Sequence, residues 1–181
     1  MISLRSKVTQ AALNYFFINS EKRHYVNELA RMLALDPKNL YVKLKELEKA
    51  GFLKSEFAGK LLYFSLNENF PLREEYGKVF LKTTGLEKQL EDALKSTQGV
   101  KKAYIFGSYA KDKMDALSDI DVLVVGEHSA IDLQKTINKI QKIVGREINV
   151  VNMATREFTK KLHQRNSFLR NVLTSKRIKL I

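Results

Sequence analysis

Residues 118–125 constrain the fold most, because they place two carboxylates directly before an unbroken apolar run. The segment reads Ser-Asp-Ile-Asp-Val-Leu-Val-Val. A short apolar run of this kind predicts a strand that is buried on both faces. In a strand, Asp119 and Asp121 point to the same side, about 6.6 Å apart along the chain. Because burying two like charges is costly without a positive partner, the pattern favours a divalent cation. Carboxylate oxygens suit Mg²⁺ that carries nucleotide phosphates.

Strands and helices alternate on either side of this segment. The predicted strands cover 100–106, 119–125, 147–151 and 177–181, a helix covers 130–144, and shorter helices begin at Arg156 and Phe168. Such alternation is typical of an α/β or α+β domain. We therefore expect residues 99–181 to form one domain, with a mixed sheet flanked by helices.

The first 70 residues show a different order of elements. Apolar residues at three- and four-residue spacing predict a helix over 8–18. Asn27 is the predicted N-cap of a short helix, and Asp36-Pro37 begins another. Two short strands around a glycine-containing turn predict a hairpin over 52–66.

This order resembles the winged helix-turn-helix of many bacterial and archaeal transcription regulators. The resemblance implies a DNA-binding domain over residues 1–70 whose 38–50 helix lies in the major groove. The predicted outward side of that helix carries Lys38, Asn39, Tyr41, Lys43, Lys45 and Lys49. Asparagine can contact adenine edges, whereas lysine and tyrosine mostly contact phosphates. The alternative is an ordinary solvated face, since Glu46 and Glu48 belong to the same helix.

Residues 71–98 are predicted to form a helical connector between the two domains. The polar residues and proline of 67–71 end the preceding strand, and Gly99 ends the helical pattern. The connector carries five Lys/Arg and five acidic residues, so its charge is balanced. Winged-helix regulators usually bind DNA as dimers. The sequence leaves open a homodimer formed through this segment.

A second motif precedes the two aspartates. Phe106-Gly107-Ser108 closes the first strand of the C-terminal domain, and a predicted helix begins at Tyr109. Glycine lets the backbone approach a ligand closely, and the amides at a helix start suit a phosphate. Together with Asp119-Ile120-Asp121-Val122, this motif resembles that of the nucleotidyltransferase superfamily, which includes DNA polymerase β and the kanamycin nucleotidyltransferases. It resembles above all the small prokaryotic minimal nucleotidyltransferases, some of which carry a winged helix.

The resemblance implies that a nucleotidyl group moves from a nucleoside triphosphate to an acceptor hydroxyl while pyrophosphate leaves. Asp119 and Asp121 would hold two Mg²⁺ ions. Glu147 would be the third carboxylate, which helps to bind the second ion and to deprotonate the acceptor. A purely structural interpretation is the alternative: Asp119 caps a strand end, Asp121 pairs with a lysine, and Glu147 pairs with Arg146.

The resemblance also implies which residues contact the nucleotide. They are Gly107, Ser108, Lys111 and Ser118. Lys111 stands where relatives often have arginine. Lysine keeps the charge but loses bidentate binding to phosphate, so weaker triphosphate binding is expected.

Composition narrows the classes of partner. The net charge is +12, and residues 155–181 hold eight Lys/Arg and one acidic residue, which predicts a polyanionic partner. The absence of cysteine excludes disulfides, thiolate zinc sites and cysteine nucleophiles. The three histidines lack metal-ligand spacing. No apolar run is long enough to span a bilayer, and no export signal is evident. We therefore expect a cytoplasmic protein without a membrane partner.

Two hypotheses other than an enzyme stay open at this point. In the first, the chain is a DNA-binding transcriptional regulator whose transferase-like domain only senses nucleotide. In the second, that domain acts as an antitoxin that modifies or sequesters a toxin or another protein partner. The second rests on family resemblance alone.

Overall fold

The structure is a computed structural model that describes residues 6–115 and 117–181. Helices combine with β-sheets, which confirms the predicted mixed α/β class. The first five residues of the predicted 1–70 domain lie outside the described part. The chain divides into two compact units: Met1–Lys88 with Lys142–Gly145, and Gln89–Gln141 with Arg146–Ile181.

The first unit combines four helices with a three-stranded sheet in its described part. The elements are α1 (Lys7–Ile18), β1 (Arg23–Tyr25), α2 (Val26–Leu33), α3 (Pro37–Lys49), β2 (Leu53–Ala58), β3 (Leu61–Leu66) and α4 (Arg73–Thr83). The strands form an antiparallel sheet in the order β1-β3-β2. The hairpin of β2 and β3 is confirmed, whereas β1 was not predicted.

Side-chain caps precede two helices of this unit, and the first is Ser6, whose Oγ accepts a hydrogen bond from the Thr9 amide at 3.3 Å before α1. Asp36 Oδ1 accepts a hydrogen bond from the Asn39 amide at 2.8 Å, and α3 begins at the next residue, a proline, which confirms the predicted start. The predicted cap Asn27 is wrong. Helix α2 begins at Val26 without a side-chain cap, because Tyr25 ends strand β1 and the chain passes directly from the strand into the helix.

The core of this unit comes from the apolar faces of its helices and of strands β2 and β3. Leu40, Leu44 and Leu47 of α3 are fully buried, as their spacing predicts. They belong to one cluster with Tyr15 and other residues of α1 and α2. The Tyr15 hydroxyl lies 2.7 Å from Nε2 of His24, so this buried polar atom is satisfied.

The elements of the remaining chain build a mixed sheet and its helices. They are α5 (Leu86–Ser96), β4 (Val100–Phe106), α6 (Gly107–Ala110), β5 (Ile120–Gly126), α7 (Ala130–Val144), β6 (Ile148–Met153), α8 (Thr155–His163), α9 (Ser167–Thr174) and β7 (Ile178–Lys179). The strand order is β6-β5-β4-β7. Strands β5 and β6 run parallel, and the other neighbours run antiparallel. Within the described residues, no helix is long and apolar enough to cross a membrane.

One face of this sheet carries both a hydrophobic core and the predicted site. Asp121, Leu123 and Val125 point to the same side of β5. Leu123 and Val125 belong to a core cluster with residues of α8 and α9. The strand begins at Ile120 and the next at Ile148. Two predicted site residues, Asp119 and Glu147, therefore lie one position before their strands.

Candidate active site

The first turn of β5 lies between two neighbouring strands. Asp121 is in register with Phe106, the last residue of β4, and with Asn149 of β6. Neighbouring strands lie about 4.8 Å apart. The end of β4, the Asp121 carboxylate and the Asn149 amide therefore meet at this end of the sheet.

Gly107 lies against Asp121. Its φ is +76°, in the left-handed region that favours glycine. A Cβ atom at this position would lie 2.3 Å from Oδ2 of Asp121, closer than any real side chain could approach. The lack of a side chain therefore allows the carboxylate to lie against the Gly-Ser turn. The fold thus brings together two motifs that are separate in the sequence.

Asn149 connects β6 to the two carboxylates. Its Nδ2 donates a hydrogen bond to Oδ2 of Asp119 at 3.2 Å. Burial raises the pKa of Asp121, the Asn149 amide lowers it, and the negative charge of Asp119 raises it, with a net upward shift. Both burial and the neighbouring carboxylate thus disfavour the ionised form of Asp121, a condition that an added cation would reverse.

The structure does not bring Glu147 together with the two aspartates. Its side chain is exposed, and its backbone carbonyl accepts a hydrogen bond from the Ile120 amide at 2.9 Å. Across residues 6–115 and 117–181, no group of three His, Asp or Glu side chains could hold a metal ion. Asn149 occupies the position beside Asp121. The sequence prediction missed it because Glu147 was chosen as the nearest acid, whereas the register of the parallel strands decides which residue faces Asp121.

A comparison with known protein families identifies the family of the domain that carries this site. The model of the nucleotidyltransferase domain matches residues 87–180, just over half of the chain, and covers all residues of the site. The chain belongs to the nucleotidyltransferase domain family. The predicted nucleotidyltransferase is confirmed at this level.

Two curated relatives, both from Methanocaldococcus jannaschii, carry the name "Putative protein adenylyltransferase". One is 44% identical over 55 residues, which cover 29% of this chain and 59% of the relative. The chain therefore spans less than two thirds of that relative. The other is 36% identical over 96 residues, which cover 50% of this chain and 91% of the relative.

Among solved structures, a toxin–antitoxin crystal structure with AMP-PNP is 18% identical to this chain. The match covers 52% of this chain and 72% of the other, with a TM-score of 0.39. This score is too low to establish a common fold.

The predicted nucleotide-binding residues of the nucleotidyltransferase domain lie in two places. Gly107 and Ser108 begin α6, which is a single turn, and Lys111 is exposed directly after it. Ser118 lies in the loop before β5, where its hydroxyl donates a hydrogen bond to Oδ1 of Asp115 at 2.8 Å. The Ser118 hydroxyl is thus engaged within its own loop, whereas Lys111 is open to solvent. Nucleotide contact by these residues stays a prediction.

The predicted DNA-binding residues lie along α3 in the first unit. Exposed side chains are those of Lys38, Asn39, Tyr41 and Lys45, and that of Lys43 is partly exposed. Lys43 Nζ lies 2.8 Å from Oε2 of Glu46, and Lys45 forms an ion pair with Glu48. The hydrogen bond to Glu48 raises the pKa of Lys45. Two of the predicted DNA-binding lysines therefore already have acidic partners on their own helix.

Proposed function

We propose that the chain transfers a nucleotidyl group from a nucleoside triphosphate to an acceptor hydroxyl at the site formed by Gly107, Asp119, Asp121 and Asn149. The approach of Gly107 to the Asp121 carboxylate carries the proposal, because it joins the Gly-Ser turn to the paired carboxylates. Both curated relatives have protein adenylyltransferase in their names. We therefore propose ATP as the nucleotide and a protein hydroxyl as the acceptor.

The side chains at the site fit a divalent cation. Asp119 and Asp121 supply carboxylate oxygens, which are the ligands that Mg²⁺ prefers. The upward pKa shift of Asp121 supports this fit, since a bound cation would offset the effects of burial and of Asp119. When bound, Mg²⁺ would supply positive charge to the triphosphate and the leaving pyrophosphate. Glu147 stays a predicted third ligand that the described structure does not place in this group.

The proposed reaction exchanges one bond at phosphorus for another. The acceptor oxygen bonds to the α-phosphorus, and the bond from that atom to the pyrophosphate oxygen breaks, so that pyrophosphate leaves with the electron pair. The acceptor proton passes to a carboxylate of the site or to water. Gly107 keeps space open beside Asp121, and the Asn149 amide orients Asp119 through its hydrogen bond.

Position-specific labelling tests this proposal. The purified chain is incubated with Mg²⁺ and, in turn, ATP, GTP, CTP and UTP, with the chain itself and other proteins as acceptors. A label on the α-phosphate should become bound to protein while pyrophosphate is released. A label on the γ-phosphate should not be transferred. The proposal fails if no nucleotide gives transfer of the α-label and no pyrophosphate appears.

Replacing Asn149 with aspartate tests the metal site without an activity assay. In the absence of metal, Asn149→Asp should lower the free energy of unfolding by up to about 1 kcal/mol, because an exposed hydrogen bond is lost and a like charge is added. In the presence of Mg²⁺ the added carboxylate should tighten cation binding about fivefold to tenfold. The increase in unfolding temperature caused by Mg²⁺ should therefore be larger than in the parent protein.

The matched control for this experiment is Asn138→Asp on α7. Asn138 is also exposed and also hydrogen-bonded through its side chain, to Gln134 at 2.8 Å, but it lies outside the site. An equal response of both variants to Mg²⁺ would show that Asn149 does not face the cation.

DNA binding by the first unit is a second proposed function. The observation that favours it is the order of α2, a short turn and α3, followed by the hairpin of β2 and β3, with Lys38, Asn39 and Tyr41 exposed along α3. In this proposal residues 1–70 bind DNA, residues 71–98 connect the two domains, and residues 99–181 carry the transferase site. The two alternatives, a regulator that senses nucleotide and an antitoxin that binds a protein partner, would use the same three segments of the chain.

A double substitution on α3 tests DNA binding. Tyr41→Ala with Lys45→Ala should weaken binding to a retained promoter fragment at about 150 mM salt, and the slope of log affinity against log salt should fall by about 1. The matched control is Ile131→Ala with Lys135→Ala on α7. Lys135 is likewise exposed and likewise paired with an acid three residues away. Equal loss in both variants, or no retention of any fragment by the parent chain, would contradict the proposal.

A further inference from the structure

Arg146 is a buried charge at the edge of the proposed site. Only 6% of the residue is exposed. Burying an arginine is costly unless its N–H groups have partners. One of its terminal nitrogens, Nη1, donates hydrogen bonds to the backbone oxygens of Asp115, at 2.6 Å, and Ser118, at 3.2 Å. The guanidinium thus holds both ends of the turn that precedes Asp119.

That turn is closed by its own hydrogen bonds. The Ser118 hydroxyl donates to Oδ1 of Asp115 at 2.8 Å and accepts from the Asp115 amide at 3.0 Å. The Leu117 amide also donates to Oδ1 of Asp115, at 3.0 Å. Because Asp115 and Ser118 bond to each other as well as to Arg146, restraining their carbonyls restrains Asp119, the residue that follows Ser118.

A second anchor holds the chain on the other side of Asp119. The Ile120 amide donates to the Glu147 carbonyl at 2.9 Å. The consecutive residues 146 and 147 therefore hold residues 118 and 120, one through a side chain and the other through the backbone. Asp119 lies between these two anchors, and Asn149 contacts its carboxylate from the same strand region.

We propose that Arg146 is a positioning residue that fixes Asp119 in the nucleotidyl-transfer site by clamping the carbonyls of Asp115 and Ser118. The inference rests on the proposed function. Arg146 touches neither nucleotide nor acceptor in this proposal, and it acts only through the loop. Its loss should therefore alter the order of the loop and the response to Mg²⁺ without removing any ligand.

Two substitutions and a matched control test the clamp. Arg146→Met keeps most of the volume but removes the donors, and Arg146→Lys keeps the charge with a single donor group. Gln141→Leu is the control, because the Gln141 side chain accepts a hydrogen bond from the Ile148 amide at 3.0 Å. That substitution also removes a side-chain bond to the backbone near the start of β6, but it leaves the hydrogen bonds of Asp115 and Ser118 in place.

The first readout is amide hydrogen exchange of the full chain. In Arg146→Met, exchange at residues 117–120 should accelerate by about tenfold or more, as expected when a hydrogen bond to a charged group is lost. Arg146→Lys should give a smaller increase, and Gln141→Leu none in this segment. Unchanged exchange at 117–120 in Arg146→Met overturns the proposal, whether or not transfer activity is found. If Arg146→Met does not fold, the exchange of Arg146→Lys against Gln141→Leu gives the same decision.

The second readout connects the loop to the site. With ATP as the probe, Arg146→Met should lower kcat about 100-fold and raise the Mg²⁺ concentration for half-maximal rate, while the KM for ATP changes less, since misplacement of a reacting group costs about this factor. Arg146→Lys should recover part of the loss. Faster loop exchange with unchanged kcat and Mg²⁺ dependence would also overturn the proposal. A parent protein without turnover contradicts the proposed function instead, and exchange then decides whether Arg146 restrains the loop.

Discussion

Replacing Asp121 with asparagine is expected to lower the rate of nucleotidyl transfer about 1000-fold, and Asp119→Asn to do the same. Asparagine has nearly the same shape as aspartate, so the substitution removes the negative charge while it preserves the packing. The cation that these carboxylates are proposed to hold contributes several kcal/mol to the transition state, and each 1.4 kcal/mol is about tenfold in rate. The measurement is the rate of α-label transfer and of pyrophosphate release.

The Asp121→Asn substitution should lower the transfer rate without lowering the stability of the protein. A carboxyl whose pKa is raised by folding contributes stability that is fully present below its unfolded-state pKa and is lost as the pH rises through the folded pKa. The pKa of Asp121 is raised, first of all by burial. At neutral pH the ionised carboxylate therefore gives no such stability. In metal-free buffer, Asp121→Asn should unfold at a temperature no lower than that of the parent protein.

Asp132→Asn is the control for that comparison. Asp132 is exposed, forms an ion pair with Lys135, and has a lowered pKa whose largest cause is its hydrogen bond to that lysine. It lies on α7, so its substitution should leave transfer unchanged. A loss of activity in Asp121→Asn that is accompanied by a comparable loss of stability would indicate a structural role for Asp121 and would contradict the proposed site.

Local sequence patterns predicted the elements that depend on local chemistry. The Asp36-Pro37 start of α3 and the apolar run of β5 are examples, because a cap and a buried strand each follow from a few consecutive residues. Asn27 shows the limit of this approach. A good capping residue does not begin a helix when a strand ends directly before it, and the partner of that strand, β3, lies about 40 residues further along the chain.

Which residues form the site depends on the pairing of strands that are distant in the sequence. Nothing near Asn149 in the sequence indicates that it faces Asp121, since only the parallel register of β5 and β6 places them side by side. Glu147 is predicted because it is the only acid between Asp132 and Glu157, and the structure shows its backbone carbonyl accepting a hydrogen bond from the Ile120 amide of β5. The sequence suggests for Arg146 only a pair with Glu147, whereas in the structure its guanidinium donates to the carbonyls of Asp115 and Ser118 before Asp119.

The α3 lysines show a case in which the sequence itself supports both alternatives. Lys43 and Lys45 each have a glutamate three residues further along the helix, and side chains at this spacing are neighbours on a helical surface. These ion pairs reduce the net positive charge of this face and agree with the solvated-face alternative, while DNA binding stays a prediction. If α3 binds DNA, phosphates must compete with Glu46 and Glu48, and this competition is one reason to test the helix by its salt dependence.

Gly107→Ala is expected to have the second large effect, on both activity and stability. The new Cβ atom would lie 2.3 Å from Oδ2 of Asp121, so the carboxylate must move away from the Gly-Ser turn. The positive φ adds strain that costs about 1–2 kcal/mol in an L-residue. Transfer should fall about 100-fold, since a displacement near 1 Å at a reacting centre costs about that much.

Gly59→Ala separates the effect of backbone strain from the effect of the collision with Asp121. Gly59 also has a positive φ, +61°, but nothing lies within 4 Å of the Cβ position. Gly59→Ala therefore carries the backbone strain without the collision, and it should lose about 1–2 kcal/mol of stability while transfer stays at the parent rate. The difference between the two variants measures what contact with Asp121 contributes. If both variants keep full activity, the close approach of residue 107 to the carboxylate has no part in the reaction, and the observation that carries the proposed function is lost.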